Sequence, residues 1–196
     1  MTDTKEVRAR PSAIVFRDKR LSGLTDAEGV YALCDLDHAP IYVGQSIDGI
    51  RTRVRRHLTS ARSDVIANRQ IDVWEIASVR AWPVTDRKQI SEVEDALFHQ
   101  FNDVSPLMNG KIPKRPLIPW TPQEPYQVVH IIPDDEIVRR RAPEVRLPRQ
   151  ISHYLRLVDH YLVVKDSPEL QLAMDVHFER LQRYHRRFLD PTKTSS

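Results

Sequence analysis

Gly29-Val-Tyr-Ala-Leu-Cys-Asp-Leu36, then Asp37-His-Ala-Pro40, then Ile41-Tyr-Val-Gly44 is the stretch from which the fold can be read. Its first part is an apolar run containing β-branched and aromatic residues and bounded by glycine, which predicts a strand over 29–36. The middle part carries Asp and Pro, residues that favour a turn. Ile41-Tyr-Val43 predicts a second strand, and Gly44 ends it. Two short apolar runs joined by a turn predict an antiparallel hairpin.

Working outward, Asp48 can cap a helix in which Ile50, Val54, Leu58 and Ala61 recur at helical spacing, giving one buried stripe. Ile71-Asp-Val-Trp-Glu-Ile-Ala77 alternates and predicts a third strand running on toward Trp82. Asp86 can cap a helix reaching about Phe101, with Ile90, Val93, Leu97 and Phe101 facing inward. The order β-β-α-β-α predicts an α/β fold, more narrowly α+β: a small three-stranded antiparallel sheet flanked by helices.

Nine of the 14 prolines fall between Pro106 and Pro148. Proline fixes φ and disfavours helix at the residue before it. The stretch 112–133 therefore reads as an extended connection, with Leu117, Ile118 and Trp120 as apolar anchors. Beyond it, Ile151, Tyr154, Leu155, Val158, Tyr161 and Leu162 follow a helical period. Ser167-Pro-Glu169 reads as a helix start, with Ser as cap and Pro in the first turn. Leu170, Ala173, His177, Leu181, Tyr184 and Phe188 form the expected inner stripe, with Arg180, Arg183, Arg186 and Arg187 on the opposite face. The reading divides the chain into an N-terminal extension (1–27), a domain (28–111), the connection (112–133), a helical C-terminal extension (134–190) and a tail (191–196).

Composition narrows the function classes. The chain has 196 residues, 29% charged and 40% hydrophobic, which suits a globular protein with a real core. A single cysteine, Cys34, excludes a disulfide scaffold and a cysteine zinc site. No run approaches the ~20 apolar residues that span a bilayer. The N-terminus lacks the apolar core of a signal peptide, so a cytoplasmic protein away from membranes is expected. Net charge is +3 overall, yet residues 139–196 carry 12 basic and 7 acidic side chains. Six arginines also lie between Gly49 and Arg69. Arginine outnumbers lysine 23 to 7, and its planar fork suits bidentate contact with phosphate.

The chemistry-bearing residues are spread along the first domain. Tyr31 and Tyr42 lie on the two hairpin strands. Arg53 and His57 stand four apart on the next helix, so both project from one face. Glu94 lies beside the stripe of the second helix, and Asn109 follows in a loop. Phosphodiester hydrolysis needs a proton acceptor for water, positive charge around the pentavalent phosphorane, and a cation or acid at the leaving oxygen. A phenol or imidazole, an arginine and a metal-binding carboxylate can supply these.

In this arrangement the chain resembles the GIY-YIG nuclease family. The first motif is met as Gly29-Val-Tyr31 and the second as Tyr42-Val-Gly44, each with Val where the family has Ile. The family's arginine and histidine match Arg53-Val-Arg-Arg-His57, its glutamate matches Glu94-Asp-Ala-Leu97, and its late asparagine matches Asn109. The matching motifs lie within residues 28–111.

The resemblance implies a Mg- or Mn-dependent DNA endonuclease with one divalent ion per active site, similar to the family's stand-alone restriction enzymes. Phage, mobile-element and repair nucleases are alternatives, as is a catalytically silent nucleic-acid-binding or assembly protein on the same fold. It implies Tyr31 as general base or proton relay, Tyr42 orienting water or phosphate, Arg53 stabilising the phosphorane, His57 assisting proton movement, Glu94 binding the metal and Asn109 bracing the site. DNA contacts are expected from the loop residues Gln45 and Ser46, from Arg51, Arg55 and Arg56, and from the C-terminal Arg139, Arg140, Arg141, Arg183 and Arg187. A homodimer would let two such sites cut two strands.

Overall fold

The computed structural model describes residues 12–59, 69–116 and 124–190. Leu117, Ile118 and Trp120 of the proline-rich stretch, Ala61 of the first stripe and both termini lie outside the described residues.

The protein is α+β: among the described residues, a four-stranded antiparallel sheet with six helices. Helix α1 (Ser12–Ser22) precedes strands β1 (Gly29–Cys34) and β2 (Pro40–Ser46), which form the expected hairpin. Helix α2 (Ile50–Thr59) follows, then β3 (Ser78–Pro83) and α3 (Ile90–Asn102). Strand β4 (Gln127–His130), α4 (Asp134–Arg141), α5 (Pro143–Val163) and α6 (Pro168–Leu189) complete the order. The strands lie as β2-β1-β3-β4, so β1 is central and β2 and β4 are edges.

Every residue of β1 is buried, because both faces of the sheet are covered. Tyr31 and Leu33 join Leu21, Leu24, Ile50 and Val54 in one core with α1 and α2. Val30 and Ala32 join Val43, Ile90, Leu97 and Phe98 in a second core under α3. A strand covered on both faces shows an unbroken apolar run in place of alternation.

Four sequence expectations change. Strand β2 runs on through Gly44 to Ser46, where Gly44 was expected to end it. The sheet has four strands, not three. Gln127-Val-Val-His130, inside the stretch read as a connection, pairs with β3. The third strand starts later than expected, at Ser78. Asp72 instead accepts from Trp74 N (3.1 Å) and starts a 3₁₀ turn over Val73–Glu75. The start of α2 is held by Asp26, whose Oδ1 accepts from Thr52 N at 3.0 Å, where Asp48 was expected.

The C-terminal helices also turn a different face inward. On α5, Ile151, Leu155 and Leu162 of the expected stripe are exposed, while Arg146, Leu147, Gln150, His153 and Leu157 are buried. On α6, Ser167 caps as expected and Leu170, Ala173, His177, Leu181 and Tyr184 are buried, but so is Arg180 at 3% exposure. These polar residues meet partners from the first domain. Arg146 pairs with Glu75 and with Asp37 (2.6 Å), and Arg180 pairs with Asp35. Tyr184 Oη bonds Glu75 at 3.1 Å and accepts from Arg180 at 2.9 Å. Although burial works against it, Arg146 and Arg187 hold the Asp37 carboxyl down at about 2. The helices α5 and α6 are thereby fastened to the hairpin turn and to the turn before β3. No helix among the described residues is long and apolar enough to cross a membrane.

Candidate active site

Tyr31 on β1 lies directly opposite Gly44 on β2. A Cβ on Gly44 would stand 2.6 Å from Tyr31 Oη and 2.8 Å from Tyr42 Cε1. The glycine of the second motif therefore makes room for the tyrosine of the first. Gly29 is constrained in another way: its φ is +149°, and a Cβ there would strike the backbone of Trp82–Val84 across the sheet. The two glycine–tyrosine motifs form one packed unit at the hairpin.

Tyr31 is fully buried, and its Oη lies 2.6 Å from His57 Nε2. Tyr42 is half-buried and packs edge-on to His57 with ring centroids 5.6 Å apart. Helix α2 presents His57 here because Ile50, Val54 and Leu58 fix its buried side. Arg53, one turn before His57, lies close enough to Tyr31 for its charge to favour the phenolate. Its Nε is buried with no hydrogen-bond partner, a donor left available at the site. Burial, with Tyr42 adding to it, pushes the Tyr31 phenol well above its ordinary 10, although Arg53 pulls the other way. A buried phenol in this state is a neutral hydroxyl near neutral pH, able to donate or relay a proton.

Among the described residues no strand pairs with the outer edge of β2, and Met108 and Asn109 take up backbone groups there. Met108 N donates to Ile41 O at 2.7 Å. Asn109 accepts from Val43 N (3.0 Å) and donates to Val43 O (2.6 Å), in place of a strand partner. Glu94 on α3 lies near the backbone of Gln45, close enough for that N–H to favour its carboxylate. Glu94 and Asn109 thus reach the same strand that carries Tyr42 and Gly44. Burial raises the Glu94 carboxyl to about 7, and Asp95 adds to the rise, while Gln45 and Arg53 oppose it. Glu94 and Asn109 open onto a cleft of about 660 Å³.

The predicted catalytic residues Tyr31, Tyr42, Arg53, His57, Glu94 and Asn109 are therefore brought around one strand edge. The predicted DNA contacts divide. Arg55 and Arg56 are exposed on α2, and Gln45 is half-buried beside Ser91. Ser46 is buried, and its Oγ donates to Gly49 O at 2.8 Å, so its hydroxyl holds the turn. Arg51 is paired with Asp26 (2.9 Å), and Arg139 and Arg140 with Glu136 (2.7 Å each). Arg141 and Arg187 are paired with Asp37 (3.1 and 2.9 Å), and Arg183 donates to Ser105 Oγ at 3.4 Å. Arg180, expected on an exposed basic face, is buried against Asp35.

Sequence reasoning missed Asp26, which anchors the start of the arginine–histidine helix. It also missed Lys111 and Lys114, which line the Glu94 cleft. A lone Asp before a strand and two lysines among prolines carry no periodic signal. Among the described residues no cluster of three or more His, Cys, Asp and Glu could hold a metal ion. Compared with known proteins, the chain matches no family model, no curated protein and no solved structure.

Proposed function

We propose that the protein is a GIY-YIG-type endonuclease that hydrolyses phosphodiester bonds in DNA, acting as a restriction or defence nuclease. The observation that carries the reading is the Tyr31–His57 hydrogen bond of 2.6 Å beside an Arg53 whose buried Nε has no partner. A buried guanidinium N–H without an acceptor suits an incoming phosphate oxygen.

In this reading the half-buried Tyr42 orients the attacking water. Tyr31 passes the water's proton to His57 Nε2, since a phenol this deeply buried does not act as a free phenolate. Arg53 stabilises the charge that develops on the phosphorane. Asn109 holds β2 in register with the cleft. Glu94 fits a hard divalent cation such as Mg²⁺, because one carboxylate beside a cleft with room for waters and a substrate phosphate is how that ion is commonly held. Bound there, the ion would offset charge on the leaving oxygen.

Nicking of supercoiled plasmid with Mg²⁺ and with EDTA tests the reading. Wild type is expected to nick only with the metal. Tyr31→Phe and Glu94→Gln are expected to keep the native circular dichroism and DNA binding, with nicking reduced about 10²-fold or more. Full cleavage by Glu94→Gln would remove the metal assignment. The complete burial of Tyr31 favours one other reading, a silent DNA-binding protein on this fold. Metal-independent binding by a wild type that never nicks would establish that reading.

A further inference from the structure

The cleft that Glu94 and Asn109 open onto has a second wall. It is formed by Lys111, Ile112, Pro113 and Lys114, facing Glu94, Asp95 and Phe98 of α3. We infer that Lys111 and Lys114 bind backbone phosphates of the DNA strand on the Glu94 side of the scissile bond. The inference rests on the nuclease reading for the location of that bond. It adds the direction in which the strand leaves the site.

Three observations carry it. The first is placement: both lysines line the same cleft as Glu94 and Asn109. A strand whose scissile phosphate met Arg53 and Glu94 would have its neighbouring phosphates in this cleft.

The second is charge. Arg51, Arg139, Arg140, Arg141, Arg146, Arg180 and Arg187 are all balanced by carboxylates. Lys111 and Lys114 are exposed, and neither makes an ion pair within 4.0 Å among the described residues. Asp95 and Glu169 act on Lys111 only from farther away. An ammonium in this position can exchange condensed counterions for phosphate without first breaking a salt bridge.

The third is rigidity. His99 Nε2 is bonded to Pro113 O at 2.9 Å, and Arg115 grips Asp103 with two hydrogen bonds of 2.8 and 3.0 Å. Gly110 packs so closely on Gln70 and Glu169 that a Cβ would stand 2.7 Å from each. These contacts hold the wall's backbone at Gly110, Pro113 and Arg115, so the attachment points of its lysines stay beside the cleft.

The test is the salt dependence of binding of a short fluorescent duplex, read by anisotropy in EDTA. Lys111→Gln with Lys114→Gln is expected to lower the slope of log K against log[salt] by about 2, roughly one unit for each phosphate no longer neutralised. The weakening should be the same for duplexes of unrelated sequence. Lys19→Gln with Lys88→Gln makes the same change in net charge on exposed positions outside the cleft, and is expected to keep the wild-type slope.

An unchanged slope in the cleft variant, an equal fall in the comparison variant, or no DNA binding by wild type overturns the inference. The proposed function fails separately. Wild type that binds with the lysine-dependent slope but never nicks plasmid overturns the nuclease reading and leaves the lysine assignment standing. Wild type that nicks while the cleft variant keeps its slope does the reverse.

Discussion

Glu94 shows how burying one carboxyl makes stability depend on pH. An unfolded glutamate loses its proton near 4.5, whereas folded Glu94 holds it to about 7 because of its burial and the adjacent Asp95. Between those values the folded chain binds more protons than the unfolded one, so stability from this group falls as pH rises from 4.5 to 7. Glu94→Gln removes the buried charge. It is expected to be about 1–3 kcal/mol more stable than wild type at about pH 8, and nearly equal to it at about pH 4. Urea unfolding at the two pH values checks this, and a difference that is the same at both would refute it. Divalent ion should narrow the gap at the higher pH, because it stabilises only the charged form. At this scale the sequence singled out Tyr31, Tyr42, Arg53, His57, Glu94 and Asn109 by motif order and spacing, which need no coordinates. Spacing carries no burial, so it could not reveal that Tyr31 is wholly enclosed or that the Ser46 hydroxyl is spent on Gly49.

At the scale of elements, the edge of β2 joins fold to site. An exposed edge strand invites pairing with another chain, and here Met108 and Asn109 occupy its outward backbone groups. Asn109→Ala strips Val43 of both partners. It is expected to cost about 1–3 kcal/mol in unfolding and to reduce nicking by a larger factor than that destabilisation alone explains. Thermal unfolding and plasmid nicking on the same preparation measure both, and an active, fully stable variant would count against the bracing role. The hairpin and the helices α2 and α3 were legible because their apolar residues face the core. Strand β4 was not, because four residues between Pro125 and Pro133 carry too little pattern and depend on β3 for pairing. On α5 the pattern indicated the wrong face. Its inward side holds Arg146, Gln150 and His153, which are satisfied by Glu75, Asp37 and the backbone of Arg69.

At the scale of the whole molecule, a buried charge cluster joins the C-terminal helices to the first domain. Arg146 and Arg180 meet Asp35, Asp37 and Glu75, with Tyr184 between them. Removing one partner of a buried pair leaves the other charge uncompensated. Arg180→Ala is therefore expected to cost about 3–5 kcal/mol. Asp35→Leu combined with Arg180→Met should cost clearly less than the sum of the two single changes. A double-mutant cycle by denaturant unfolding checks this, and strict additivity would show that the pair is not coupled. The cluster also revises the charge distribution. The net positive C-terminal region is not an open phosphate track, since much of its arginine faces inward or is paired on the surface.

By itself the sequence determined the hairpin and the helices α2 and α3, because local pattern encodes these, and motif spacing singled out six polar or ionisable residues. Only the tertiary structure decided which charges are available. Whether an arginine or a lysine can meet phosphate depends on the carboxylates that the folded chain brings beside it. Those partners come from elements far apart in sequence: Asp35 for Arg180, Glu75 for Arg146 and Asp37 for Arg187.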